Sequence, residues 1–119
     1  MQALIHEWDC GFGEKSARIA VSPSVEETPK GLRKIRVGCL CRVNGFTVMN
    51  YWNDYGDWPL GKEPACILAE HLAAESLASL EFAMKSALED LRKLMDSVEP
   101  ATAQFFFLMP GTGLDKDSQ

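Results

Sequence analysis

The sequence predicts an α+β fold in which an antiparallel sheet of four or five strands packs against one long amphipathic helix, a two-layer sandwich with element order ββββαβ. Three patterns predict it. Residues 33–43 alternate between apolar and polar side chains, as a half-buried strand does. Asn44-Gly45 follows at once and is the strongest short signal for a β-hairpin. Residues 73–98 place apolar side chains three and four apart, the spacing of a helix with one buried face.

A first hairpin is predicted near the start of the chain. Residues 3–9 form a short apolar-rich run that ends at Gly11 and Gly13, where the chain can reverse because glycine accepts positive φ. Residues 16–22 then alternate, and one face of that strand carries Ala17, Ile19 and Val21. Residues 23–31 contain two prolines and two adjacent acids, which predicts a loop.

The clearest strand is residues 33–43, and residues 46–52 return as its partner. One face of the first strand carries Ile35, Val37, Cys39, Cys41 and Val43. The other face carries Lys34, Arg36, Gly38, Leu40 and Arg42. If the alternation holds throughout, the outward side of the sheet bears a basic set, namely Arg18, Lys34, Arg36 and Arg42.

The long helix is predicted to begin near Pro64, which suits a first turn, and to end at Pro100. Residues 65–74 are rich in alanine and favour a backward extension of this helix, with a short strand as the alternative. Two acid-to-lysine pairs four residues apart support its solvent side, Glu81 with Lys85 and Glu89 with Lys93. The predicted apolar stripe is Leu77, Leu80, Met84, Leu88, Leu91, Leu94, Met95 and Val98.

A fifth strand is predicted at residues 104–109 (QFFFLM), a continuous apolar run that suits burial on both faces. Residues 111–119 are small and polar, which predicts a disordered tail. A chain of 119 residues suits one core, so a single domain is expected over residues 1–110.

Charge and cysteine content bound the function. A net charge of −5 and a pI near 5.0 argue against a general nucleic-acid binder. The acidic excess is C-terminal, because residues 1–61 carry seven basic and seven acidic side chains, whereas residues 62–119 carry five and ten. The sequence shows neither a signal-peptide pattern nor an apolar stretch of membrane-spanning length. Four cysteines in such a chain predict reduced thiols and a cytoplasmic protein.

No catalytic, metal or cofactor site is predicted. Cys39 and Cys41 continue the apolar stripe of their strand, and a spacing of two is not the usual one for structural zinc. Asp54 and Asp57 lie among turn-forming residues, where aspartate commonly bonds its own backbone. No nucleophile, base and orienting group can be assembled around them. We therefore expect no enzyme, no metal and no cofactor.

Two candidate binding surfaces remain. The segment 51–61 (YWNDYGDWPLG) gathers aromatic rings and acids in a predicted loop. Rings of this kind supply rigid contact area, and acids beside them steer a basic partner. The candidate contact residues are Asp54, Tyr55, Asp57 and Trp58. The alternative is that the rings, Trp52 above all, fold inward and cap the core while the acids shape turns.

The expected function is a small cytoplasmic interaction protein that inhibits a protein with a basic surface by steric and electrostatic occlusion, as immunity proteins and phage anti-defence proteins do. Either segment 51–61 or the acidic helix side would face that partner; the latter comprises Glu70, Glu75, Glu81, Glu89 and Asp90. A first alternative is RNA contact through the outward basic residues, although the sequence indicates no aromatic residue among them for stacking. A ligand-binding or enzymatic domain, with a pocket between residues 53–63 and the helix start, is the second alternative. A homodimer is left open.

Overall fold

The structure, a computed structural model, describes residues 1–11 and 17–97. The strands are β1 (Leu4–Trp8), β2 (Ala17–Glu27), β3 (Arg33–Val43) and β4 (Phe46–Trp58), and the helix is α1 (Lys62–Asp96). The strands form one antiparallel sheet in the order β1-β2-β3-β4. The predicted α+β fold, with a meander followed by one long helix that packs on it, is confirmed. The predicted strand at 104–109 and tail at 111–119 lie outside the described residues.

The chain divides into two compact units, Met1–Lys85 and Ser86–Gln119. The first unit contains β1 to β4 and α1 up to Lys85. Its core combines branched and sulfur-containing side chains of the inner sheet face with small side chains of the helix. The sheet contributes Ala17, Ile19, Val21, Ile35, Val37, Cys39 and Cys41, and the helix contributes Ala65, Ala69, Ala73, Leu80 and Met84.

Small helix residues let α1 approach the sheet closely. Ile35 is completely buried in a cluster with Ala65 and Ala69. Around this cluster pack five half-buried side chains, Val25, Tyr55, Leu60, Leu68 and Leu72. The preference for helix over strand at residues 65–74 is therefore confirmed, because this segment supplies the buried face of α1.

The turn between β3 and β4 is the predicted one. Asn44 and Gly45 both adopt positive φ, at 52° and 83°. A two-residue turn with positive φ at both positions has the twist that joins neighbouring antiparallel strands. The turn between β2 and β3 is held by hydrogen bonds to Thr28. Its backbone oxygen accepts from Gly31 N at 2.9 Å, and its hydroxyl accepts from Leu32 N at 3.1 Å.

Two segments predicted as loops belong to strands. β2 continues through Pro23 to Glu27, and β4 continues through residues 53–58. β1 pairs with β2 only up to Val21, so β2 is an edge strand at Pro23 and the missing N–H of proline need not interrupt the sheet. In β4, the strand kinks at Gly56, which takes a φ of 88°. The turn-forming residues of this segment therefore produce a kink within β4 and do not end the strand.

Both predicted ion pairs of α1 form, but its predicted apolar stripe is not buried along its whole length. Glu81 and Lys85 form the predicted pair at 2.7 Å, and Glu89 and Lys93 form theirs at 3.5 Å. Two members of the predicted apolar stripe, Leu91 and Leu94, are exposed. Periodic spacing predicts that an apolar face exists, but it does not supply the surface that would cover that face.

The inner face of the sheet also holds two free thiols, Cys39 and Cys41. Burial, together with the neighbouring Cys39, raises the pKa of the Cys41 thiol. Burial and a hydrogen bond with Cys39 raise the pKa of Tyr51 to about 12. The raised pKa keeps the Cys41 thiol neutral, as the apolar stripe on β3 predicts for a small buried cysteine.

Tyr51 should make the stability of the protein sensitive to alkali. The folded protein holds its phenol proton more tightly than the unfolded chain, whose tyrosine ionises near the ordinary value of 10.0. This stabilising contribution is therefore complete below pH 10 and is lost as the pH rises towards about 12. Urea unfolding measured across this window should show a smaller loss of stability for Tyr51→Phe than for the wild type. An identical loss in both proteins would contradict the assignment.

Candidate outer-face binding site

The outer face is the side of the sheet that points away from α1. The pairing register arranges its side chains in rows that run across the strands. The charged rows are Glu7–Arg18–Arg42–Thr47, Ser24–Arg36–Asp54 and Glu26–Lys34–Asp57. The uncharged rows between them are Ile5–Ala20–Leu40–Asn50 and Ser22–Gly38–Trp52. All four basic residues predicted on the outward side lie there.

Trp52 lies on this outer face. Its side chain is 52% exposed, so the prediction that it folds inward over the core is wrong. A Cβ atom built on Gly38 would lie 3.0, 3.0 and 3.1 Å from the Trp52 atoms Cη2, Cζ3 and Cε3. Because these three consecutive ring atoms are almost equidistant, the indole turns a face, rather than an edge, towards Gly38. The guanidinium carbon of Arg36 lies 5.0 Å from the ring centroid, within cation–π distance.

Arg18 and Arg42 stand directly opposite each other on neighbouring strands. Like charges in this position destabilise a sheet, because their side chains are held close together. Glu7 lies 3.7 Å from Arg18 Nε and offsets part of this repulsion from the solvent-exposed edge of β1. A second anion between the two guanidinium groups would offset the remainder.

The other cations of the outer face have fewer partners. Among the described residues, no carboxylate lies within 4.0 Å of Lys34, Arg36 or Arg42. The Nε atoms of Arg18 and Arg36 are buried, and neither has a hydrogen-bond partner in the described part of the chain. A buried donor without a partner is a point where a further acceptor would be favourable.

The candidate contact residues of segment 51–61 take part mainly in local structure. An Asp54 carboxylate oxygen accepts from Gly56 N at 2.9 Å and so fixes the kink in β4. The Trp58 indole N–H donates to the Tyr55 backbone oxygen at 3.0 Å. Tyr55 packs against the buried cluster of Ile35, Ala65 and Ala69. Asp57 stands opposite Lys34 in the register.

The acidic side of α1 is largely paired. Glu75 lies 3.2 Å from His71, and Glu81 lies 3.6 Å from His6 in addition to its contact with Lys85. The hydrogen bond that Lys85 donates, together with the charges of His6 and Lys85, lowers the pKa of the Glu81 carboxyl. Lys85 also lies 5.2 Å from the ring centroid of Trp8, which ties β1 to the helix. These pairs leave Glu70 and Asp90 as members of the predicted acidic side for which no ion pair is found among the described residues.

Two depressions on the described surface are open rather than enclosed. One, of about 540 Å³, lies on the first turns of α1 against Pro64, Ile67 and His71. Another, of about 430 Å³, lies between the start of β1 and the helix and is lined by Leu4, Pro23 and Ala73, among others. Among residues 1–11 and 17–97, no three His, Cys, Asp or Glu side chains come together as metal ligands. The described helix is too polar to cross a membrane.

Comparisons with known protein families, with curated proteins and with solved structures find no significant match. The functional assignment therefore depends on the geometry of the outer face.

Proposed function

We propose that this protein binds single-stranded nucleic acid across the outer face of its sheet. The observation that supports this function best is the exposed Trp52 ring, which lies over Gly38 and has the Arg36 guanidinium over it. A four-stranded sheet that presents an aromatic ring and arginines on its open face is a known way to stack unpaired bases. The sequence-based objection, that this face has no ring to stack on, does not hold once Trp52 is placed there.

Arg18 and Arg42 supply the phosphate contact in this proposal. Arginine binds phosphate oxygens through two parallel N–H groups, and one phosphate between the pair would relieve their mutual repulsion. Arg42 and Gly38 are four residues apart on β3, which corresponds to about 13 Å along the strand. A short segment of one nucleic-acid strand can therefore place a phosphate on the arginine pair and a base on Trp52.

The acidic composition of the chain sets the kind of binding expected. Among the described residues, the outer face carries four cations and four carboxylates, Glu7, Glu26, Asp54 and Asp57. Two of these carboxylates are engaged locally, Glu7 by Arg18 and Asp54 by Gly56. We therefore expect the affinity to depend only weakly on salt. One phosphate held between the arginine pair on a single strand would give a logarithmic salt slope of only about −0.7.

A protein partner is the competing occupant. An inhibitor of a basic protein would use Glu70, Asp90 or segment 51–61, and an acidic partner would use the same arginines as nucleic acid. Dimerisation and a cytoplasmic location are compatible with both functions and stay predictions. Trp52 distinguishes the two occupants. Nucleic acid needs its ring for base stacking, whereas an acidic protein that pairs with the arginines does not.

Trp52→Ala should weaken binding of a single-stranded oligonucleotide about tenfold, since one stacked base contributes roughly 1–3 kcal/mol. Trp52→Phe should restore part of this loss, because it keeps a ring for stacking. Phe82→Ala is the matched control, since it removes an aromatic side chain that is 75% exposed on α1, away from the outer face. Fluorescence anisotropy of a labelled 12-mer at low and physiological salt measures all four proteins.

The same titration should include polyglutamate as a polyanion without bases. If the wild-type protein binds polyglutamate as tightly as the oligonucleotide, and Trp52→Ala changes neither, the outer face is a surface for acidic proteins. If the wild type binds no oligonucleotide even at low salt, nucleic-acid binding is wrong. Circular dichroism of each variant excludes loss of folding as the cause.

A further inference from the structure

Gly38 is an unusual residue for its position. It lies in the middle of β3, a central strand, where glycine packs no side chain and weakens the strand. Its φ is not positive, unlike that of Gly31, Gly45 or Gly56, so the backbone conformation does not require glycine. The reason must therefore be the space above its Cα, and Trp52 occupies that space.

The short distances show that the Trp52 ring fills the space where a side chain of residue 38 would begin. A Cβ atom 3.0 Å from ring carbons makes a contact tighter than nine in ten Cβ contacts, so the indole would have to move by a few tenths of an ångström to admit alanine at position 38. The ring is the far end of an exposed side chain and can swing into solvent without disturbing the core. A methyl group on residue 38 should therefore displace Trp52 from its contact with the sheet and leave the fold intact.

Orientation decides which nucleic acid can use the ring. With a face turned towards Gly38, the indole lies along the sheet, so a base that stacks on it must also lie along the sheet. An unpaired base can rotate into this position. A base inside a duplex is already stacked on both sides, so its faces are not accessible to the indole.

We propose that Gly38 is a positioning residue that holds Trp52 flat and thereby makes the outer face selective for unpaired bases over duplex. This inference rests on the proposed function, because it names the substrate class of the same site. Gly38 touches the ring and not the nucleic acid, so its effect must pass through Trp52. Duplex binding, which uses the phosphate contacts alone, should not depend on it.

The test is a double-mutant cycle of Gly38→Ala and Trp52→Ala, with a 12-mer in single-stranded and duplex form. Gly38→Ala should weaken single-strand binding about tenfold and leave duplex binding unchanged. The double variant should lose no more than Trp52→Ala alone, because one interaction cannot be removed twice. Gly61→Ala is the matched control, since its Cβ would meet only Pro64 Cδ at an ordinary 3.6 Å.

A second readout follows the ring itself. In a Trp8→Phe/Trp58→Phe background, Trp52 is the remaining tryptophan. Binding of the single strand should quench its fluorescence strongly when residue 38 is glycine and only weakly in Gly38→Ala. Additive losses in the cycle, or single-strand affinity unchanged by Gly38→Ala, would overturn the positioning role of Gly38. Absence of single-strand binding by the parent protein would instead remove the proposed function, so the two failures are distinguishable. Thermal unfolding checks that each variant folds.

Discussion

Replacing Ile35 with alanine should lower the free energy of unfolding by about 3 kcal/mol, the largest stability effect that we expect from a single truncation. Ile35 is completely buried between β3 and the alanine stripe of α1. Ala65 and Ala69, which contact it, have no side-chain atoms that could move into the space left behind. The cavity should therefore stay open, and its cost adds to the loss of apolar burial.

Urea unfolding followed by circular dichroism measures this change, and Ile67→Ala is its control. Ile67 lies on α1, the helix that covers Ile35, and its truncation removes the same atoms, but Ile67 is 60% exposed, so stability should change by about 0.5 kcal/mol or less. Equal losses in the two variants would mean that burial of Ile35 against α1 does not determine the cost of its truncation. A loss below about 1 kcal/mol in Ile35→Ala would contradict the packing described for this core.

The elements with strong local signals could be predicted from the sequence. These elements are the alternating strand β3, the Asn44-Gly45 turn and the alanine-rich start of α1. In each of them, a few neighbouring residues are enough to predict the local structure. The predicted loops failed at Pro23 and Asp54 for a shared reason. Residues typical of turns also occur in strands where a neighbouring strand is absent or where the strand kinks, and pairing partners cannot be read from the residues alone.

The position of Trp52 could not be predicted because it depends on an irregularity in strand pairing. Val43 pairs with Phe46 next to the turn, and unbroken pairing from there would set Tyr51, rather than Trp52, opposite Gly38. A shift of one residue between Cys41 and Arg42 changes this register. A shift by one exchanges the two faces of a strand, so Trp52 comes to lie outside and Tyr51 inside. Gly38 on an outward, central position was the one available signal that a large ring lies above it.

Removing the arginine pair should have the largest effect on binding. Arg42→Gln should weaken single-strand binding about tenfold, and Arg18→Gln/Arg42→Gln about a hundredfold, since charge-assisted contacts contribute roughly 1.5–3 kcal/mol each. Because the pair holds one phosphate, the double variant should also reduce the logarithmic salt slope by about 0.7. Arg92→Gln, which makes the same charge change at an exposed position of α1, should alter neither quantity. Anisotropy titrations at several salt concentrations measure both.

Stability should respond to Arg42→Gln in the opposite sense to binding. Arg18 and Arg42 repel each other across neighbouring strands, so removing one charge should leave the free energy of unfolding unchanged or raise it by up to about 1 kcal/mol. A residue kept only for the fold would show the reverse, a loss of stability with no loss of affinity. Lower stability together with unchanged oligonucleotide affinity would therefore assign the pair to structure and contradict its role as the phosphate site. If Arg42→Gln binds the oligonucleotide more weakly but is at least as stable as the wild type, the arginine pair serves ligand binding rather than the fold.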